Sequence, residues 1–246
     1  MDQGVDRADL RALRDELRLE MFRLVGNARR SIVADGAAHQ YLTDRLRPRS
    51  WIPAAGGWVI SYEALAGMVD HLLSTTAPQS VVETGSGIST VWLGHALREL
   101  GGGHLTAFEH DPLYAERTRA QLRKHGLQAW CRVIDAPLVD ASTTDGPWPP
   151  GWYDLSQWSP EQIDLLLIDG PPGADGPLAR DPAYRVFAPH LGPGALVVVD
   201  DIDRADEQAM VDGWTSDESF GSLRFVGDHG VSRFLSFDPR EETEGA

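Results

Sequence analysis

The residues best suited to bind or transform a ligand form a glycine-containing turn, Glu83-Thr84-Gly85-Ser86-Gly87-Ile88-Ser89-Thr90. The turn follows a short apolar segment and opens an amphipathic one, as a strand-to-helix turn does. Glycines at such a turn let the backbone bend tightly and approach a ligand closely. Thr90 occupies the position at which a dinucleotide fingerprint has its third glycine. The turn therefore predicts a ligand site that is not built for a pyrophosphate.

Carboxylates near this turn favour a cationic nucleoside as the ligand. Glu83 would repel a pyrophosphate, but it would attract the ammonium and sulfonium groups of S-adenosylmethionine (SAM). The carboxylate of SAM can accept hydrogen bonds from backbone N–H groups and from a hydroxyl such as that of Ser89. Glu109 ends the next predicted strand, where a carboxylate accepts bonds from both ribose hydroxyls in related folds. The alternative for Glu109 is an exposed carboxylate at a strand end.

The third predicted strand ends in Asp135-Ala136. Ligands of open α/β sheets bind over the carboxyl ends of the strands, where an aspartate can meet an adenine amino group. The alternative is an ordinary loop aspartate.

Two further predicted strands end in aspartates, the first at Asp169 and the second at Asp200-Asp201. Three unpaired carboxylates at one sheet edge would repel one another, and Mg²⁺ would remove that cost. Adjacent strand residues point to opposite faces, so both members of the pair reach one ion only if the chain bends there. In the alternative, Asp169 lines a cofactor pocket and one of the pair caps the following helix.

Alternating strands and helices position these residues. The predicted strands are 80–84, 104–109, 130–134, 163–168 and 195–199, and the predicted helices are 90–100, 112–124, 178–191 and 205–214. This alternation indicates right-handed βαβ units and a doubly wound α/β fold with a parallel sheet. Segments 223–226 and 231–237 flank a polar turn at 227–230 and predict an antiparallel hairpin.

The first 60 residues predict a helical extension and a connector. Leu10, Leu13, Leu17, Met21 and Leu24 form one apolar stripe at helical spacing. We expect this helix to pack on the domain or on a second subunit, which makes a homodimer a prediction; a helix that binds another partner is the alternative. The main domain is expected at 61–238, with Ser61 capping a helix that runs to about residue 74. The acidic tail 239–246 is predicted to be disordered.

The formal net charge of −15 disfavours nucleic acid and anionic membranes as partners. It fits a small-molecule substrate. No apolar run is long enough to span a bilayer or to form a signal peptide. The single cysteine, Cys131, excludes an intrachain disulfide and is expected to be buried and inert. These features predict a cytoplasmic protein.

Three motifs together resemble the class I SAM-dependent methyltransferases, over about residues 51–237. They are the turn Glu83–Thr90, Glu-His-Asp-Pro at 109–112 and Asp-Gly-Pro-Pro at 169–172. The resemblance implies a seven-stranded Rossmann-like sheet in the order 3-2-1-4-5-7-6 with strand 7 antiparallel. It also implies SAM as cofactor, held by Glu83, Gly85, Ser86, Gly87, Ser89, Glu109, His110, Asp135 and Ala136.

A metal-dependent branch of small-molecule and sugar O-methyltransferases has acidic residues where Asp169, Asp200 and Asp201 occur here. This resemblance implies a Mg²⁺ site at these residues, with Asp169 in a catalytic role. Catechol-type members have a lysine near the acceptor oxygen, whereas the only lysine here, Lys124, lies in a predicted helix. Another base, or polarisation of the hydroxyl by a metal, is therefore required.

The predicted activity is methyl transfer from SAM to a hydroxyl of a small molecule such as a specialised metabolite or a sugar. An amine acceptor without a metal is less favoured, and a non-catalytic SAM-binding scaffold is the alternative from another class. A nucleotide-dependent oxidoreductase is disfavoured by Thr90 and the terminal hairpin. His110 and His229 are weak candidates for the base. Candidates for an aromatic acceptor wall are Trp58, Tyr62, Trp148 and Trp152, with packing as their alternative role.

Overall fold

The computed structural model describes residues 7–52, 59–139, 151–173 and 176–240. Within them, seven strands form one sheet: β1 (Gln79–Thr84), β2 (Gly103–Glu109), β3 (Cys131–Asp135), β4 (Ile163–Ile168), β5 (Leu191–Val199), β6 (Gly221–His229) and β7 (Ser232–Pro239). Their order is β3-β2-β1-β4-β5-β7-β6. The first five strands are parallel, and β7 runs antiparallel to both β5 and β6. The predicted fold and strand order are confirmed.

Six α-helices accompany the sheet in the described residues: α1 (Arg7–Leu46), α2 (Tyr62–Leu73), α3 (Ile88–Leu100), α4 (Pro112–His125), α5 (Pro182–Phe187) and α6 (Ala205–Ser216). Sequence features set their ends. Ser61 caps α2, as predicted, by accepting a hydrogen bond from the Ala64 N–H at 3.2 Å. Asp111 likewise caps α4, which begins with Pro112 at its first position.

The parallel strands are buried on both faces, and alternate residues belong to two separate apolar clusters. Val81 and Leu165 pack on one face with α2, α3, α4 and the end of α1. Val82 and Leu166 pack on the other face with α5, α6 and the segment around Trp158. This double coverage explains why strands such as β4 are continuously apolar in sequence. It leaves the carboxyl ends of the strands as the open edge.

The predicted helix 178–191 is wrong in length. Leu178 has a positive φ of 52°, which a helix does not tolerate, and α5 begins only at Pro182. A 3₁₀ turn, Ala188–His190, then leads directly into β5. The shortened helix leaves a run of turns between β4 and α5, and these turns supply a residue of the site.

The hairpin is correctly predicted, but its turn is not at 227–230. Gly227, Asp228 and His229 pair with β7, so β6 continues to His229 and the turn is Gly230-Val231. Gly230 has a φ of 62°, which a glycine adopts without strain. The two strands are fastened by Arg233, which donates to both carboxylate oxygens of Asp228 at 2.9 and 3.0 Å.

Helix α1 is one continuous helix of 40 residues. Near its end, Leu42 and Leu46 are buried in the core. Leu17 and Met21, from the predicted stripe, are 60% and 55% exposed, so these two side chains do not pack on the domain, and packing on a second subunit stays a prediction. The side chains of Leu10, Leu13 and Leu24 lie outside the described residues. No described helix, α1 included, combines the length and apolar character required to cross a membrane.

Candidate active site

An open cleft of about 580 Å³ lies over the carboxyl ends of the central strands. This is where ligands bind in open α/β sheets. Its floor comes from the loops that follow β1, β2, β4 and β5. Val59, before α2, and Val231, in the hairpin turn, also line it. Other lining residues are Gly85, Ser86, Glu109, His110, Asp111, Tyr114, Tyr153, Asp169, Gly170, Pro172, Arg180, Asp200, Asp201 and Arg204.

The glycine turn brings the backbone of β1 against that of β4. Gly85 has a φ of 91°, and a Cβ there would lie 3.3 Å from the Asp169 carbonyl oxygen. A side chain at this position would therefore be strained and crowded at once. Gly87 has an extended backbone and donates its N–H to Thr90 Oγ1 at 3.0 Å. The turn thus lines the cleft at Gly85 and Ser86.

Glu83 lies beneath the turn and is 1% exposed. Its carboxylate accepts hydrogen bonds from the hydroxyls of Ser89 and Thr90, the latter at 2.7 Å. Burial raises the pKa of Glu83 to about 7, although the two hydroxyls oppose the shift. Neither Glu83 nor Ser89 lines the cleft, so their contact with a cofactor stays a prediction. Thr90, which the sequence marked only as a missing glycine, positions both Glu83 and the turn.

Glu109, at the end of β2, faces the cleft as predicted. One carboxylate oxygen accepts from the Ser86 hydroxyl at 3.0 Å, and the other accepts from the Asp111 N–H at 3.0 Å. A carboxylate has about four lone-pair sites, so both oxygens can accept another hydrogen bond. His110 lines the cleft beside it, with Nδ1 3.2 Å from Glu109 Oε1. The arrangement offers paired acceptors to a diol, as ribose hydroxyls require.

Asp135 and Ala136 lie farther out, at the end of the edge strand β3. The Asp135 side chain is 55% exposed and pairs with Arg119 at 2.8 Å. Ala136 is buried, and its N–H donates to the Glu109 carbonyl at 2.8 Å. Neither residue lines the cleft, so the contact with adenine stays a prediction.

Asp169, Asp200 and Asp201 meet at the other end of the cleft. One oxygen from each lies within 4.8 Å of the others. The convergence that the sequence made conditional on a bend is present, because Asp201 has a left-handed φ of 62°. Neither member of the pair caps α6, whose N-cap is Arg204, so the capping part of the alternative is wrong, although Asp169 does line the cleft. Burial and the neighbouring Asp200 raise the pKa of Asp169, and burial also raises that of Asp200.

Guanidinium groups enter this acidic cluster. Arg180, 3% exposed, places Nη2 2.9 Å from Asp201 Oδ2 and 3.7 Å from Asp169 Oδ1. Arg204 approaches the same Asp201 oxygen at 2.8 Å. The donor set has the chemistry that Mg²⁺ prefers, but two fixed cations already contact it. The arrangement therefore does not fit a magnesium ion, and Mg²⁺ stays a prediction that these ion pairs disfavour.

Among the predicted aromatic wall residues, Tyr62 and Trp152 are buried in the two apolar clusters and do not line the cleft. Trp58 and Trp148 lie outside the described residues. Tyr153 lines the cleft instead, with its hydroxyl against Gly170. No sequence pattern distinguishes Tyr153 from the adjacent Trp152 as the residue that lines the cleft.

The remaining base candidates lie away from the cleft. His229 ends β6 and packs on Phe234. Lys124 donates to the Trp51 carbonyl at 3.1 Å, far along α4 from the strand ends. Asp169 is therefore better placed than either to meet an acceptor.

The open edge, the glycine turn and the acidic strand ends are arranged as the resemblance to class I SAM-dependent methyltransferases implies, and comparison with known proteins supports that class. Residues 82–202 match the family model described as a methyltransferase domain. This match, together with the fold, supports a SAM-dependent methyltransferase, as the sequence predicted. Among curated proteins, no sequence matches it significantly.

Solved structures share the fold at low identity. The cofactor-bound Rv0187 from MTB is 20% identical, with a TM-score of 0.54 over 98% of this chain and 100% of that one. An O-methyltransferase from Bacillus cereus in complex with SAH is 15% identical, with a TM-score of 0.53 over 84% and 90%. The O-methyltransferase TomG from Streptomyces achromogenes, involved in tomaymycin synthesis and solved with SAM, is 16% identical, with a TM-score of 0.51 over 84% and 90%.

Proposed function

We propose that this protein transfers the methyl group of SAM to a hydroxyl of a small molecule, such as a specialised metabolite or a sugar. The observation that carries the proposal is the single cleft in which the glycine turn, Glu109 and Asp169 converge. A volume of about 580 Å³ is within the range of small-molecule sites. Structural neighbours described as O-methyltransferases lend support to a hydroxyl acceptor.

We place the nucleoside of SAM between the turn and the end of β2. Glu109 accepts the ribose hydroxyls while Ser86 and the Asp111 N–H hold its carboxylate in place. His110 lies against the adenine side, and the backbone at Gly85 faces the methionine portion. The sulfonium then lies toward the acidic cluster, whose charge suits a cation.

Asp169 is the residue proposed to contact the acceptor hydroxyl. It follows β4, adjoins the turn at Gly85 and faces the cleft. Methyl transfer is an in-line displacement, so alignment of donor and acceptor supplies much of the acceleration. The acceptor hydroxyl must also lose its proton, and the Asp169 carboxylate is placed to accept it. Tyr153 and Tyr114 also line the cleft and contribute apolar ring surface to it.

The test combines SAM calorimetry with transfer of labelled methyl from SAM to a panel of hydroxyl and amine acceptors. We expect Asp169→Asn to lower kcat by about 100-fold or more, the usual scale for loss of a general base, with little change in the Kd for SAM. Glu109→Gln should instead weaken SAM binding, because it removes one charged acceptor. Asp44→Asn, on the exposed surface of α1, is the matched control.

Three outcomes would contradict the proposal in different ways. No affinity for SAM would remove the whole assignment. SAM binding without transfer to any acceptor would indicate a non-catalytic scaffold. Transfer to amines alone would replace the hydroxyl by nitrogen as the target.

We further propose a cytoplasmic location and a homodimer. The free Cys131 thiol, buried and bonded to the Thr90 carbonyl at 3.6 Å, supports a reducing compartment. The exposed apolar face of α1 supports self-association, which is tested below.

A further inference from the structure

We propose that the Arg180 guanidinium takes the place of a metal ion in the acidic cluster, so that methyl transfer needs no divalent cation. Arg180 then acts as a positioning residue that holds Asp169 and Asp201 for the reaction. The mechanistic part rests on the proposed function, but the absence of metal binding does not.

Arg180 is fixed from several sides in the turns between β4 and α5. Its Nε donates to the Pro171 carbonyl at 3.3 Å, and its Nη1 donates to the Asp200 carbonyl at 3.1 Å. Its Nη2 donates to Asp201 Oδ2 at 2.9 Å. One buried side chain thus joins the loop after β4 to the loop after β5. This number of partners leaves little freedom for the guanidinium to withdraw and admit an ion.

Nη2 lies among the carboxylate oxygens that a shared metal ion would have to bind. It lies 2.9 Å from the nearest oxygen of Asp201 and 3.7 Å from that of Asp169. A Mg²⁺ ion bound to oxygens of both residues at about 2.0–2.1 Å would lie among the same atoms. Two cations at such a distance repel strongly in a buried site. The cluster can therefore hold the guanidinium or the metal at this point, but not both.

The charges around the cluster make the guanidinium a durable substitute. The carboxylates of Asp169, Asp201 and Glu207 lie within 3.9 Å of the guanidinium groups of Arg180 or Arg204. The carboxylate of Asp200 lies beside them in the same cluster. An arginine cannot lose its proton in a protein, so its charge is permanent. The Asp200 carboxylate is further occupied by the Ser232 hydroxyl, which donates to it at 2.5 Å. The excess negative charge remains available to a cationic cofactor.

Arg180 also acts directly on the proposed catalytic carboxylate. The Arg180 Nη2 lies 3.7 Å from Asp169 Oδ1, so the buried guanidinium attracts this carboxylate and limits its orientation. A lysine at this position would retain the charge but lose the planar set of donors that reaches three partners. We expect Arg180→Lys to lower kcat about tenfold, with KM for SAM nearly unchanged, because the geometry and not the cofactor site is altered.

The decisive measurement is Mn²⁺ binding by electron paramagnetic resonance on the full chain, which does not depend on turnover. Wild type should bind no Mn²⁺ at the cluster and should retain full activity after exhaustive chelation. Arg180→Met, which removes the charge while keeping much of the volume, should bind Mn²⁺ with a Kd at least roughly tenfold below the highest Mn²⁺ concentration at which wild type shows no binding. Adding Asp169→Asn should abolish this gain. Arg224→Met, which breaks the exposed pair with Asp238, is the control and should resemble wild type.

Tight Mn²⁺ binding by wild type that Asp169→Asn weakens would overturn the inference. So would a folded Arg180→Met protein with no gain in Mn²⁺ affinity. If thermal melts show that Arg180→Met does not fold, Arg180→Lys takes its place, since retained exclusion of Mn²⁺ with a lowered kcat is then expected. SAM calorimetry on the same samples separates failure of this inference from failure of the proposed function.

Discussion

Glu83 differs most between its expected and observed surroundings. Its position before the glycine turn suggested direct attraction of a cationic ligand, but its carboxylate is enclosed below the turn. There it accepts from the hydroxyls of Ser89 and Thr90. The residue therefore acts first on the shape of the turn, and its charge reaches the cleft indirectly.

We expect Glu83→Gln to change how stability depends on pH. The folded pKa of about 7 lies above the ordinary value of 4.5, so the folded state holds a proton that the unfolded state has lost between these values. The contribution of this proton to the free energy of unfolding is fully present below the pKa of Glu83 in the unfolded state. It is lost as the pH rises through the folded pKa of about 7. Urea unfolding of the ligand-free protein should show a loss of about 3 kcal/mol in wild type that is absent in the variant.

The variant Thr43→Val, at a half-buried hydroxyl on α1 that donates to the His39 carbonyl, serves as a control and should follow wild type in its pH dependence. Equal losses in wild type and Glu83→Gln over that pH range would mean that Glu83 is already ionised in the folded protein.

The strand-end carboxylates were predictable because each follows an apolar strand, and parallel strands end at the same edge. Glu109, Asp169 and the Asp200-Asp201 pair accordingly meet in one cleft. Arg180 was not predictable, because it comes from an irregular turn with no periodicity to place it. Its role depends on the bend at Asp201 and on the start of α5 at Pro182, which leaves Arg180 in the turns before that helix. The sequence pattern specifies neither feature.

Helices α3 and α4 are joined by a buried chain of nitrogen atoms. Arg98 Nη2 lies 2.8 Å from His95 Nδ1, and His95 Nε2 lies 3.0 Å from His125 Nδ1. A guanidinium can only donate, so His95 accepts at Nδ1 and donates its Nε2 proton to His125. This order of bonds requires both histidines to be neutral. Burial and Arg98 lower the pKa of His95 to about 3.

We expect this chain of bonds to weaken the fold in acid. The folded pKa of His95 lies below the ordinary value of 6.5, so the unfolded state binds more protons in between. Stability is then complete above 6.5 and falls as the pH decreases. Between about pH 7.5 and pH 5, wild type should lose roughly 2 kcal/mol more than His95→Asn does in urea unfolding.

Stability from neutral His95 is lost as the pH falls, whereas stability from protonated Glu83 is lost as the pH rises. The effect of His95 is therefore obtained from the difference in free energy of unfolding between wild type and the variant. His104→Asn, at a half-exposed histidine, is the control. A parallel decline in wild type and His95→Asn would show that the pair is not kept neutral by burial.

Element by element, the sequence predicted β4 to the residue and most other strands and helices to within a few residues. Apolar periodicity and capping residues such as Ser61 and Pro112 carried this information. The errors lie where two structures compete locally. Prolines and the positive φ of Leu178 shorten α5, and cross-strand pairing extends β6 through Gly227.

At the scale of the molecule, the end of α1 packs on the domain, whereas described apolar residues earlier in the helix are exposed to solvent. Its end, with Leu42 and Leu46, is covered by the core, whereas the described stripe residues Leu17 and Met21 are exposed. Asp35 joins α1 to the start of α2 by accepting from the Tyr62 N–H at 2.5 Å. Beyond that point Val25 and Ile32 are 61% and 72% exposed. An exposed face of this kind marks an interaction surface.

We expect two copies to associate through this face of α1. Each apolar side chain that is fully buried contributes about 1.5–3 kcal/mol, so the double variant Met21→Glu, Val25→Glu should weaken the dimer by at least about tenfold. Sedimentation velocity of wild type should show the dimer, and the variant should sediment as a monomer. Glu16→Lys, at another exposed position of α1, should leave the dimer intact. A monomeric wild type would contradict the expectation.

The cleft is lined at one point by Val59 and at another by Val231, which come from opposite ends of the domain. Gly230 in the hairpin turn also lies against Ser61, and a side chain at position 230 would displace the Ser61 hydroxyl. Ribosomal synthesis proceeds from the amino terminus, so the wall around the ligand remains incomplete until almost the whole domain has emerged. A nascent chain interrupted before the hairpin would carry every strand-end carboxylate and still present no finished site to its cofactor.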